Sequence, residues 1–215
     1  MAMGIKVVLF DLGRVLVNFD HARSAERIAN FCGKTPRQIY DLFFESRATI
    51  DFEAGKISPQ EFYLQVKQLL DLKLSYDSFV PIWNDIFFLT PENRSVFGLV
   101  NNLRSNYKTA LLSNINILHY EYLKNSFPVF GVFDEIFLSY QLGCIKPEKE
   151  IYNAVVAQLK VAPDEIFYTD DRPELIESAK ALGLRGHVFT NFVQLTCDLA
   201  AHKINFKFAE KVRLF

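Results

Sequence analysis

The chain carries almost no surplus charge of either sign, with 24 lysines and arginines against 25 aspartates and glutamates in 215 residues. Without a positive excess there is little to neutralise a nucleic-acid backbone or grip an anionic membrane, so neither partner is expected and a small molecule is the better candidate. Cysteine is scarce. Cys32, Cys144 and Cys197 are odd in number, widely spaced and without the C-x-x-C or interleaved histidine pattern of a zinc site, which makes them buried thiols of a reducing compartment. Long apolar runs are also missing. Residues 5–10 are too short for a signal-peptide core or a membrane span, and Met1-Ala2-Met3-Gly4 offers no basic lead, so the expected location is the cytoplasm. No repeat, low-complexity tract or long linker divides the chain.

What is present is ample apolar material, half of all residues, including 21 phenylalanines spread along the chain as core-filling side chains. Residues 5–10 form a short β-branched run that reads as a buried strand and ends at Asp11. From about 20 to 89 the pattern becomes helical, with no strand signal. Thr35-Pro36-Arg37-Gln38 and Ser58-Pro59-Gln60-Glu61 each join a capping hydroxyl, a proline at the first helical position and a capping-box residue at the third. Phe62, Val66, Leu69 and Leu70 mark one helix face, and Phe79, Ile82, Trp83, Ile86 and Phe87 another. After Thr90-Pro91-Glu92, helices alternate with short buried strands at 109–112, 136–138, 165–168 and 186–189, the last read as central. Residues 204–208 fit a helix or an alternating strand equally. The fold class is therefore α/β, a doubly wound parallel-sheet core of Rossmann-like type built from residues 1–17 and 90–215, with an all-helical cap inserted at 18–89.

In such a core, ligands bind beyond the carboxyl ends of the strands. Four chain segments bring polar residues to that edge: Asp11, Ser113-Asn114, Lys146 and Asp170-Asp171. Three carboxylates around one ammonium are costly to bury unless a cation and an anionic substrate complete the charge balance, and Mg2+ with a phosphoryl group does so. Each residue has a plainer role open to it. Asp171 suits a helix cap with Glu174 as its capping-box partner, Ser113 a cap facing Asn116, Lys146 a solvated site before Pro147, and Asn114 a turn. His21, His119, His187 and His202 show no spacing that suggests shared metal binding and read as packing or surface residues.

Phe10-Asp11-Leu12-Gly13, Leu112-Ser113-Asn114, Lys146-Pro147-Glu148 and Tyr168-Thr169-Asp170-Asp171 resemble the four ordered motifs of the haloacid dehalogenase superfamily. The helical insert resembles that superfamily's small cap. Within it, Glu53-Ala54-Gly55-Lys56-Ile57-Ser58 is similar to a segment of glucose-1-phosphatase-like members. The resemblance implies that Asp11 forms an aspartyl-phosphate, Ser113 binds a phosphoryl oxygen and Lys146 neutralises the nucleophile and the transferring group. It implies magnesium ligation by Asp11, the Gly13 carbonyl and Asp171, with Asp170 in support. Candidate substrate contacts are Arg14, which could reach a substrate anion or the cap, Asn114, and Glu53 and Lys56 of the cap. One position departs from the pattern: Gly13 stands where the family usually places a second aspartate, the general acid and base. General acid–base help is typically worth ~10²–10⁴-fold in rate, so its loss predicts rates that depend steeply on the leaving group, less so if a cap residue substitutes.

The expected function is magnesium-dependent hydrolysis of a small phosphorylated metabolite such as a sugar phosphate. Two alternatives are a catalytically weak relative that binds a phosphorylated ligand or a partner, for which Gly13 argues, and a metal-independent haloacid dehalogenase, which has no need for adjacent acids at 170–171.

Overall fold

A computed structural model describes residues 4–206, apart from the side chains of 43–45. Strand β1 (Val7–Phe10) is buried along its whole length and pairs in parallel on both sides. Its side chains alternate as the two-residue period of a strand requires: Val7 and Leu9 enter one apolar layer, Val8 and Phe10 the other. Around it lie β4 (Lys108–Ser113), β5 (Glu135–Leu138), β6 (Ile166–Asp170) and β7 (Arg185–Val188), in the parallel order β5-β4-β1-β6-β7. The strand expected at 186–189 is thus an edge strand rather than a central one. Arg185 is accordingly exposed and His187 half-buried.

Helices cover both faces. One layer receives α6 (Pro91–Leu103), α7 (Ile117–Ser126) and α11 (Phe192–Ala201); the other receives α9 (Lys149–Leu159) and α10 (Pro173–Ala181). Gly183 adopts the left-handed backbone after α10. Residues 204–206 are neither helix nor strand, and 207–208 lie outside the described residues. The cysteines depart from the buried expectation: Cys32 and Cys144 are half-buried, and Cys197 is exposed because it faces outward between the inward Thr196 and Leu199 of α11.

The inserted segment holds α1 (His21–Ala29), α2 (Pro36–Glu45), α3 (Arg47–Glu53), α4 (Pro59–Leu70) and α5 (Tyr76–Asn84). The capping boxes read at Thr35 and Ser58 are formed, and the helix start read at Thr90 also carries one, with Asn93. The helices enclose an apolar cluster of their own, in which Phe62 stacks on Phe52 with ring centroids 4.4 Å apart and meets Trp83 at 4.8 Å. Two short strands correct the expectation that no strand occurs here. β2 (Asn18–Phe19) and β3 (Phe87–Phe88) pair antiparallel where the chain enters and leaves the helical segment, so Phe87 does not extend the α5 face.

At Gly55 the backbone of the cap approaches the core closely. Its φ is +66°, and a Cβ added there would lie 2.1 Å from the Tyr140 carbonyl oxygen in α8 (Ser139–Leu142). Gly143 has a comparable φ of +75° with open space around it. Gly143→Ala should therefore cost only the left-handed strain, about 1–2 kcal/mol. Gly55→Ala must also push the cap from the core and should cost clearly more in urea unfolding. Equal losses would mean that the Gly55–Tyr140 approach does not hold the two parts together.

Candidate active site

The register of the sheet sets the site. Phe10 lies opposite Leu111 on one side and Thr169 on the other, so Asp11 emerges between the ends of β4 and β6, its amide donating to the Thr169 carbonyl at 2.9 Å. Lys146, only 3% exposed, reaches this point from the loop before α9. Its Nζ donates to Asp11 Oδ1 and to Asp170 Oδ2, both at 2.6 Å, and to the Leu112 carbonyl and the Tyr168 hydroxyl, each at 3.2 Å. The solvated-lysine alternative is excluded by that burial.

Two carboxylates sharing one buried ammonium are not equivalent. Burial pushes Asp11 up to about 7; Lys146 pulls it down, while Asp170 and Asp171 push it further up. At Asp170 burial is outweighed by the Lys146 charge and by hydrogen bonds from Lys146, Tyr168 and the Arg172 amide, so its carboxyl is held low. Lys146 is itself raised despite burial, because Asp11 and Asp170 favour its charged form. Tyr168 was not singled out from sequence, yet its hydroxyl donates to Asp170 Oδ2. The available signal was spacing: residues 168 and 170 of one strand share a face.

Ser113 ends β4 and is buried. It does not cap α7; Asn116 does, with Oδ1 accepting from the His119 amide. Asn114, expected at the substrate, is turned instead to the lysine loop. Its Nδ2 donates to the Lys146 carbonyl at 2.9 Å and its Oδ1 accepts from the Lys146 amide at 2.8 Å, so both ends of the amide fix the backbone that carries the ammonium. The cap role considered for Asp171 is not taken either, since Arg172 occupies the N-cap of α10 and its amide donates to Asp170 Oδ1.

Asp11, Asp170 and Asp171 each place one oxygen within 4.8 Å of the others. This all-oxygen set, offset by Lys146 inside and by Arg14 at its rim, fits a hard divalent cation. Asp171 is raised by burial and by Asp170, against the pull of Arg14 and Lys146. Gly13 has no left-handed strain, but an added Cβ would come within 2.9 Å of Phe19 Cε1, so the ring of Phe19 fills the space of a side chain at 13. Arg14, with φ +58°, lies 5.4 Å over that ring with Nε 3.8 Å from Asp171 Oδ2, and so bridges the β2 stem and the acidic cluster.

Glu53 and Lys56 separate. Glu53 closes α3 rather than sitting in a loop, and Lys146 and Arg172 are the charges that face its carboxyl; burial pushes that carboxyl up to about 7 against their pull. Lys56 is exposed. Of the histidines, His119 is buried against Trp83 and held near 3 by burial, in keeping with packing. His187 and His202, unrelated by spacing, meet with Nε2 atoms 2.8 Å apart.

The model of a family of haloacid dehalogenase-like hydrolases matches residues 85–183. A D-ribitol-5-phosphate phosphatase of Bacteroides thetaiotaomicron is 27% identical over 83% of this chain and 89% of its own. A sesquiterpene phosphatase of Aspergillus oryzae is 25% identical over 93% of this chain and 97% of its own. The crystal structure of a HAD family enzyme of B. thetaiotaomicron, in complex with magnesium and inorganic phosphate, is 30% identical, with a TM-score of 0.77 over 88% of this chain and 96% of that one. Among the described residues no helix is long and apolar enough to cross a membrane.

Proposed function

The chain belongs to the haloacid dehalogenase-like hydrolases, and we propose that within them it is a magnesium-dependent phosphatase of a small phosphorylated metabolite of the sugar-phosphate class. The observation that carries this reading is Asp11 at the end of β1, held by buried Lys146 and sharing an oxygen cluster with Asp170 and Asp171. The substrate class draws support from the relative that acts on D-ribitol 5-phosphate. Adjacent acids at 170 and 171 beside Asp11 favour metal-assisted chemistry over metal-independent dehalogenation.

In this reading Asp11, Asp171 and the Gly13 carbonyl hold magnesium, with Asp170 in support. Once bound, the ion supplies positive charge beside the phosphoryl oxygens and the nucleophile. A carboxylate oxygen of Asp11 forms the new bond to phosphorus while the bond to the leaving oxygen breaks, its electron pair departing with that oxygen. Water then attacks the aspartyl-phosphate, which releases phosphate and restores Asp11. Lys146 offsets charge on the nucleophile and the transferring group, and the Ser113 hydroxyl donates to a phosphoryl oxygen. Asn114 keeps the lysine backbone in place, and Arg14 at the rim faces the substrate anion.

A panel of metabolite phosphates, assayed with magnesium and with excess chelator, tests the reaction. Turnover should require the metal. Independently of activity, magnesium at about 100 times its Kd should stabilise the fold by about 2.7 kcal/mol and raise Tm by roughly 5–10 °C for a chain of this size. Undiminished turnover in chelator, or no thermal shift at millimolar magnesium, would remove the metal from the mechanism.

A further inference from the structure

The leaving oxygen of an alkyl phosphate departs far faster at neutral pH when it acquires a proton, and residue 13 has no side chain to give one. The other acids at the strand ends are committed. Asp11 is the nucleophile of the proposed reaction. Asp170 accepts from Lys146, Tyr168 and the Arg172 amide, and Asp171 belongs to the metal cluster and faces Arg14.

One further acidic residue is held beside the same edge by the cap. Glu53 is the last residue of α3 and is anchored through its backbone: its carbonyl accepts from Ser139 Oγ at 2.6 Å. The same hydroxyl accepts from the Ile115 amide at 2.9 Å, and Ile115 lies two residues beyond Ser113. Gly55, two residues further along the cap, rests against the Tyr140 carbonyl. The cap is therefore fastened to the core at Glu53 and just after it, and the charges of Arg172 and Lys146 act on its carboxyl.

We propose that Glu53 is the general acid of the reaction, giving its proton to the leaving oxygen from the cap side as Asp11 attacks phosphorus from the core side. The inference rests on the phosphatase reading. In the first step the Asp11–phosphorus bond forms, the phosphorus–oxygen bond breaks, and the carboxyl proton of Glu53 goes to the departing oxygen, which leaves as an alcohol. In the second step the Glu53 carboxylate takes a proton from the water that attacks the aspartyl-phosphate. Burial favours the neutral carboxyl and holds it near 7, so the acid is available at neutral pH and lost above it. The steep leaving-group dependence expected from Gly13 alone is then moderated by a residue of the cap.

The test compares 4-nitrophenyl phosphate, whose leaving group needs no proton, with benzyl phosphate, an alkyl ester of similar size, on wild type and Glu53→Gln, both with magnesium. In the variant, kcat on benzyl phosphate should fall about 10²–10⁴-fold, at least tenfold more than on the nitrophenyl ester. The alkaline fall of the wild-type benzyl phosphate profile near pH 7 should disappear with it. Glu53→Asp, which retains an acid on a shorter arm, should recover part of the benzyl phosphate rate; it also guards against a folding defect, together with circular dichroism of both variants. Equal losses on the two esters, or a rise in KM with kcat unchanged, would assign Glu53 to substrate positioning and overturn the proposal. Wild-type turnover of the nitrophenyl ester keeps the phosphatase reading standing in that case. If wild type turns over neither ester, both fall.

Discussion

Asp11→Asn is expected to lower turnover by about 10⁴-fold or more, the order of loss when a nucleophile is removed, while the protein stays folded. The amide is nearly isosteric with the carboxylate and can still accept from Lys146, but it is a poor nucleophile. Stability should move the other way. Asp11 sits with Asp170 and Asp171 around one ammonium, and its carboxyl is raised to about 7 in the fold from an ordinary value of 3.8. A carboxyl raised on folding contributes its stability below the ordinary value and loses it as pH rises through the folded one. Without magnesium, the asparagine variant should thus be at least as stable as wild type at pH 8 and lose that advantage towards pH 4. Magnesium should reverse the order, since the variant has lost a ligand. Thermal unfolding at both pH values with chelator, alongside kinetics, checks both halves. Near wild-type turnover by a folded variant would show that Asp11 is structural.

The Asp11 position was legible because a fully buried strand is a continuous apolar run, and the first polar residue after it must lie at the sheet edge. The same logic located Ser113 and Asp170, two capping boxes marked helix starts at Thr35 and Ser58, and Thr90-Pro91-Glu92 marked a third. What escaped was set by contacts between distant segments. The β2–β3 pair is two residues on each strand, too short for a period to show, and Phe87 follows a helix face closely enough to read as its continuation. His187 and His202 meet only because α11 folds back beside β7. Asn114 is turned to Lys146 by a loop 32 residues away. The capping logic for Asp171 failed because the helix begins one residue later, with Arg172 at its N-cap. Glu53 was legible as a polar residue of the cap, but the anchoring of its backbone is set by Ser139, 86 residues away.

Lys146→Met should cost both activity and stability, and the two losses have one cause. Methionine approximates the length and volume of the stem, so little cavity is created; what disappears is the charge that Asp11 and Asp170 share. Removing one partner of a buried ion pair leaves the other uncompensated, typically a loss of about 3–5 kcal/mol. Here two carboxylates are left, and both can escape part of the cost by taking up protons. Asp170 shows the sign. In wild type it is held below its ordinary value, so it adds stability at neutral pH that is lost as the pH falls. Without Lys146, burial is the larger influence on it and raises it, so the variant should weaken as pH rises instead. The deficit should be small near pH 4 and approach the full amount by pH 8, and magnesium should shrink it by supplying positive charge to the same oxygens. Turnover should fall at least about 10³-fold, as expected when a charge that stabilises the transition state is lost from a dry site. Urea unfolding at pH 4 and pH 8, in chelator and in magnesium, reads the stability half. A deficit of the same size at both pH values would mean that lost packing, rather than the lost charge, destabilises the variant, and Lys146 would then no longer be the group that makes the carboxylate cluster tolerable.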